Sequence, residues 1–498
     1  MKFPGFIGQA YNLVNRNVDA QRLINWFPEM VESGSGKTEA YFKMTPGLTK
    51  LFDVGSGPVR CVHFDGLKKD DGAYVQLNRV FVVSGSEVFR FQYDAVSGWN
   101  YVKIGVLGTF TGPVSAASSA QDYGVTVFVD GSANNYVYHK TTSTVENFST
   151  FAAHAPAYVS VARATKVIWL DGYFIFTVQD SGAFYVSDWN SLNVSALSQA
   201  SAEGNPDNIV SLISNNRDLW LFNERTVELW ANTGNASFPF ERVGGGFIEN
   251  GCLAPESVAK ISGTVLWLGR DANGQGIVNA ATGPQHIRIS THAIEQEIAT
   301  YSNPDDATAY CYQDGGHQLY VLNFAEASWC YDLTTKSWHQ RAYFNNGAFE
   351  RSRAECHTYF PDLNIHLVGD YASGYLYKFD NSVFTDNSQT IKRLRSAPHL
   401  ANDLEWMIFD KLQIDCRTGV GLDGAETLQG HDPQLILRWS DDGGYTWSNE
   451  MSISLGLIGT RKTRAIFRRL GKSRDRIFEI SITDPVSCEP MSADLSIR

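Results

Sequence analysis

Leu219-Trp220-Leu221-Phe222-Asn223-Glu224-Arg225-Thr226-Val227-Glu228-Leu229-Trp230 is a pair of apolar runs around a polar turn. Aromatic and β-branched residues suit a pleated, half-buried strand, and a short polar break between two such runs reads as a β-hairpin. The pattern recurs along the chain. First runs begin near Val80, Val125, Tyr173, Leu219, Val265, Leu319 and Ile365, at intervals of 45, 48, 46, 46, 54 and 46 residues. Second runs follow at Val88–Phe91, Tyr136–Tyr138, Ala183–Val186, Val227–Trp230, Ile277–Ala280, Trp329–Tyr331 and Tyr375–Phe379.

A further strand is expected before several hairpins (Pro58–Phe64, Tyr158–Ala162, Ile209–Ile213) and another after (Trp99–Ile104, Phe240–Val243, Trp338–Ala342). Three or four short strands in each ~47-residue unit match the blade of a propeller. Such a sheet has two apolar faces, so it buries them by stacking on its neighbours around an axis. The sequence therefore predicts an all-β chain whose centre is a β-propeller of seven repeat units in six or seven blades. The seventh unit ends near Ser382 and lacks an outer strand, for which Ile391–Leu394 is the candidate.

The expected organisation is an N-terminal arm (1–50) with a short helical pattern at Val18–Ile24, a β-propeller (51–390), and a smaller C-terminal β domain (391–498). Strands of that last domain are expected near Lys411–Asp415, Leu435–Trp439, Met451–Leu455 and Ile477–Ile482.

The 498 residues are 43% hydrophobic and 19% charged, a composition that rules out general disorder. No apolar stretch approaches the roughly 20 residues of a spanning helix, so no membrane insertion is expected. The opening Met1-Lys2-Phe3-Pro4-Gly5 lacks the apolar core of a secretory signal, which points to a cytoplasmic start. Seven scattered cysteines without a CxxC read as reduced, mostly buried residues. A net charge of −12 is the wrong sign for a surface that grips phosphate throughout.

Motifs for chemistry are sparse. Gly34-Ser35-Gly36-Lys37-Thr38 lacks the leading Gly of a phosphate loop, because position 31 is Val. Eleven histidines show no HxH or HExxH spacing. The acidic pairs Asp70-Asp71, Asp305-Asp306 and Asp441-Asp442 are adjacent in sequence, and adjacent carboxylates on a strand face opposite sides. No catalytic residue, metal ligand or cofactor is expected.

Two features of the C-terminal domain stand out. Ser440, Asp442, Gly444 and Trp447 fit the Asp-box pattern SxDxGxxxW, in which hydroxyl and carboxylate bond to turn backbone. Arg461, Lys462, Arg464, Arg468, Arg469, Lys472, Arg474 and Arg476 place eight cations, opposed only by Asp475, in sixteen residues. The remaining chain then carries 33 cations against 52 acids, a net of −19. Charge concentrated in this way suits contact with an acidic partner surface or with DNA phosphates.

Three ordered stretches resemble the packaged-DNA stabilisation proteins, the tail hub or nozzle of short-tailed bacteriophages. They are Val18-Asp19-Ala20-Gln21-Arg22-Leu23-Ile24-Asn25-Trp26-Phe27-Pro28-Glu29 with Thr45-Pro46-Gly47-Leu48; the stretch from Ala202-Glu203-Gly204-Asn205-Pro206-Asp207 through Thr226–Trp230 to Gly251-Cys252; and the Asp-box segment, basic run, Phe478–Pro485 and Leu495–Arg498. Together they cover about half the chain. The resemblance implies a structural virion protein, assembled in the bacterial cytoplasm, that forms a homo-hexameric ring below the portal and its adaptor. It implies attached tail needle, tailspike or fibre proteins, and double-stranded DNA retained and later conducted through the ring. The alternatives are a lectin-like, receptor-binding propeller and, with its single Asp box, a sialidase-type hydrolase.

Overall fold

The computed structural model describes residues 1–33, 35–70, 73–119, 125–139, 143–147, 163–195, 197–202, 204, 207–271 and 274–498, with the backbone alone at 67–70 and 73–78. Seven four-stranded antiparallel blades follow the period among the described residues, five as separate sheets and the last two as parts of larger sheets. In blade 4 the strands are Ile209–Asn215, Asp218–Asn223, Val227–Asn232 and Phe240–Ile248. Each predicted hairpin supplies the second and third strands of its blade, as Leu219↔Trp230 pairing shows for blade 4.

The first strands face one another around the axis. That of blade 1, Val59–Asp70, lies against Ala354–Phe360 of blade 7, which closes the ring at seven. Each interface between neighbouring blades holds buried apolar side chains: Phe81, Phe128 and Tyr138 between blades 1 and 2, and Trp220, Phe222 and Trp267 between blades 4 and 5. No blade could bury these residues by itself, so the stack is what makes each sheet stable.

The seventh blade departs from the sequence expectation. Its outer strand is not Ile391–Leu394 but Gly47–Asp53, which pairs antiparallel with Tyr375–Asp380 in the register Tyr375↔Asp53 to Asp380↔Gly47. The chain then passes through the buried Val54 into blade 1, so one continuous segment ties the last blade to the first. Residues 393–396 serve elsewhere: Arg393–Ser396 pairs with Leu23–Ile24 and with Asp475–Ile482.

The C-terminal segment forms two packed sheets. One contains Arg393–Ser396, Asp475–Ile482, Gln434–Ser440 and Met451–Ser454. The other is built on Met407–Cys416, flanked by Ala465–Arg468 and Pro490–Ile497. Leu412 and Ile414 of one share an apolar core with Leu435, Leu437 and Ile480 of the other, as in a β-sandwich.

The arm stitches these parts together. Met1 and Phe3 bond to Leu495 and Ala493 on the last strand. Leu23–Ile24 lies between blade 6 and the sandwich, with Ile24 opposite both Gln340 and Leu394. The helix expected at Val18–Ile24 is absent; the segment forms Ala20–Gln21 and Leu23–Ile24 strands. Seven residues cannot hold a helix through propensity alone, and two open sheet edges here provide backbone partners instead.

Trp26, fully buried and stacked on Phe42 at 6.1 Å, donates through Nε1 to the Cys488 carbonyl at 3.0 Å. Arg395, also fully buried, donates to the carbonyls of Phe6 and Gly5 at 2.9 Å, of Gln9 at 3.2 Å, and to Gln21 Oε1 at 2.6 Å. Burial draws its guanidinium down to about 9. The expected strand at Tyr158–Ala162 lies outside the described residues. All seven cysteines are free; Cys252, Cys330, Cys416 and Cys488 are buried.

Candidate functional site

The Asp box forms the turn between Gln434–Ser440 and Met451–Ser454. Gly443 and Gly444 have φ of 73° and 87°, a left-handed conformation that glycine adopts without strain. Asp442 Oδ1 accepts from the backbone N–H of Tyr445 at 3.0 Å and of Thr446 at 2.9 Å, and Oδ2 accepts from the Thr446 hydroxyl at 2.6 Å. The Ser440 hydroxyl accepts from Gly444 N at 2.8 Å and donates to Asp442 at 2.7 Å. The Thr446 hydroxyl, then its backbone N–H, hold the Asp442 carboxyl down at about 2, so it stays ionised as a turn fastener. Trp447 stacks under the Arg438 guanidinium at 4.5 Å.

The neighbouring carboxylate goes the other way. Asp441 takes a two-pronged contact from Arg476, at 2.6 and 2.7 Å. Arg476 also donates to the Leu470 carbonyl and lies over the rings of Phe409 at 4.7 Å and Trp439 at 5.1 Å. At 2% exposure it is an internal pin between sandwich and Asp-box turn. Of the eight cations in the basic run, this one stands apart.

The other seven, Arg461, Lys462, Arg464, Arg468, Arg469, Lys472 and Arg474, are all exposed. Among the described residues none of them forms a salt bridge. Arg468 even faces Lys411 directly across the strand pair, where like charges repel. Lys472 and Arg474 each lie 4.9 Å from the ring of Trp406, which is 54% exposed. Sequence reading missed Trp406; its position in the polar loop Asn402-Asp403-Leu404-Glu405-Trp406 was the available signal, since a large aromatic there has no reason to be buried. An aromatic braced by cations presents a flat apolar face within a positive field, a combination enriched where interfaces concentrate their binding energy.

Several carboxylates elsewhere are engaged structurally. A cavity of about 590 Å³ at the propeller axis is lined by Glu256, Asp305, Asp306 and Glu355. There Glu256 pairs with Lys166 at 2.5 Å, and Glu355 accepts from Thr308 at 3.1 Å and pairs with Arg351. The fully buried Glu228 of blade 4 accepts from Gly204 N at 2.7 Å and Trp230 Nε1 at 3.0 Å. His317 is clasped between Asp332 and the arm residue Glu29, each at 2.7 Å. Among the described residues, no group of three or more His, Cys, Asp and Glu side chains is arranged to hold a metal, and no helix is long and apolar enough to cross a membrane.

No curated protein matches the chain closely enough to count as a relative. Two family models do match, in the order of the fold: the one described as bacteriophage P22 Gp10, beta-propeller, over residues 3–384, and the one described as bacteriophage P22 Gp10, beta-sandwich, over residues 392–498. With a ring of seven blades under the first match and two packed sheets under the second, the chain belongs to the P22 Gp10 family of phage packaged-DNA stabilisation, or tail hub, proteins.

Proposed function

We propose that this structural phage protein is the nozzle that closes the head after packaging, retains the genome and later serves as the path of its ejection. In this reading copies assemble as a homo-hexameric ring attached to the portal adaptor, with needle, tailspike or fibre proteins beyond it. The chain acts by rigidity and by surface complementarity rather than by turnover. Its overall negative charge supports the conduit reading, because an acidic wall repels DNA that must slide past it.

The observation that carries the docking part is the run of seven exposed, unpaired cations at Arg461–Arg474 in a chain whose other residues carry −19. Five of them are arginines, and a guanidinium binds a carboxylate through two parallel bonds while giving up less hydration than an ammonium. The patch fits an acidic rim on the adaptor or on a neighbouring subunit.

Negative-stain imaging of the protein mixed with portal and adaptor tests this reading. The wild type attaches as a ring, while Arg468→Glu with Arg469→Glu leaves a folded chain that fails to attach. Normal attachment with altered DNA retention would refute docking and assign the patch to the channel. Submicromolar, sequence-independent duplex binding by the free wild type at physiological salt would contradict the conduit itself.

A further inference from the structure

Four parts of the molecule meet around a cavity of about 400 Å³: the arm hairpin Tyr11–Asn12 and Ala20–Gln21, the helix α1 (His292–Ile298), the outer strand of blade 6, and the Asp-box turn. Its accessible lining is mostly polar. Arg16, Arg22 and Glu297 face it, together with the amides of Asn12 and Gln340 and the indole of Trp447.

These groups do not satisfy one another. Neither arginine is within ion-pair distance of Glu297, and the nearest carboxylate to Arg22 is Glu479, at 4.0 Å from Nη1. The side chains of Asn12, Gln340 and Glu297 make no hydrogen bond within the protein among the described residues. Burial lowers the Arg22 guanidinium and raises the Glu297 carboxyl, which the two arginines pull back. Arg16 is exposed, whereas Arg22 and Glu297 are half-buried, and half-buried charges normally find partners, because unused hydrogen-bonding capacity away from bulk water costs free energy. Here, among the described residues, the Arg22 guanidinium has only the long contact to Glu479 and the ring of Phe349, and that of Arg16 only the Tyr445 ring at 5.6 Å, and with Glu297 and two amides they turn toward one space.

We propose that this cavity binds a carboxylate-bearing sugar unit, either a free sugar acid or the acidic end of a glycan. The volume lies within the roughly 300–1,000 Å³ of small-molecule sites, but a mostly polar lining suits a hydroxylated ligand better than an apolar one. Arg22 and Arg16 take the carboxylate, which a guanidinium fork matches geometrically. Glu297 accepts from ring hydroxyls, the Asn12 and Gln340 amides donate and accept, and Trp447 forms an apolar wall. This inference does not depend on the nozzle reading, since a sugar site on the subunit neither requires nor excludes a ring.

Saturation-transfer NMR and calorimetry on the full chain test it, with glucuronate, N-acetylneuraminate, glucose and glutamate as probes. Both sugar acids are expected to saturate with millimolar dissociation constants, whereas glucose is not expected to bind. Arg22→Gln should weaken the acids by about tenfold. Since Arg22 also rests near Phe349, the exposed Arg16→Gln gives a second reading in a protein whose melting temperature is unchanged. An oligosaccharide ending in glucuronate distinguishes the sources, and binding of either form supports the proposal. No saturable binding of any sugar acid would overturn it, as would binding indifferent to both arginines. Glutamate binding as well as glucuronate would reduce the site to a bare carboxylate clasp and refute the sugar.

Discussion

The propeller and the junction that holds its C-terminal sandwich are built from similar strands but by opposite rules. In the blades, partners are near in sequence: Leu219 pairs with Trp230, and the next blade repeats the arrangement. At the junction, partners come from the two ends of the chain, with Met1 on Leu495, Phe6 on Arg395 and Trp26 on Cys488. A blade loses one interface when a residue fails, whereas the arm holds blade 6, blade 7 and both sandwich sheets at once. Local repetition confers redundancy, and long-range stitching creates single points of failure.

Four substitutions break or sharpen that contrast. Trp26→Ala should cost the most, about 3–5 kcal/mol, because it empties a fully buried stack and orphans the Cys488 carbonyl. Denaturant unfolding should then show the sandwich and arm melting ahead of the blades; a single unshifted transition would refute the stitched junction. Arg395→Met should follow at about 2–3 kcal/mol, since three arm carbonyls lose their donor. Limited proteolysis, with cleavage expected near residues 5–9 in the variant and not in the wild type, checks it.

The third probe is pH. Burial alone would lower the His317 imidazole, but the bonds to Asp332 and then Glu29 outweigh it and raise it above 6.5. A raised folded-state pKa means that this clasp contributes fully below the unfolded value and is lost as pH rises through the folded one. Thermal stability should therefore decline from below to above pH 6.5, with a smaller slope in His317→Gln; equal slopes would remove His317 from the account. Smallest is Asp442→Asn, which keeps the side chain's shape and should cost about 1 kcal/mol or less at an exposed turn. Local amide exchange at Tyr445 and Thr446 should quicken while the global midpoint barely moves.

How much of this was legible in sequence varied with the range of the interactions. Hairpins such as Leu219–Trp230 were readable because alternation and turn chemistry act over a dozen residues. The same holds for the Asp box, whose bonds close within the span Ser440–Thr446. The basic run was visible as composition, but that Arg476 is an internal pin while its seven companions are exposed required knowing where Asp441, Phe409 and Trp439 meet. Sequence order points to Ile391–Leu394, after the repeat, as the seventh outer strand, whereas Gly47–Asp53, before it, takes that place.

Sequence by itself determined the hairpin of each unit, the count of seven repeat units and the charge asymmetry between the basic run and the rest, while it left open whether six or seven blades close the ring. Each follows from propensity, periodicity or composition, which are properties of neighbouring residues. Only the tertiary structure decided which strand closes the ring, what became of Val18–Ile24, and which charged groups of the arm, α1 and blade 6 surround one cavity. Those outcomes depend on open backbone edges and burial between segments hundreds of residues apart, and no local pattern encodes which distant edge a short strand will find.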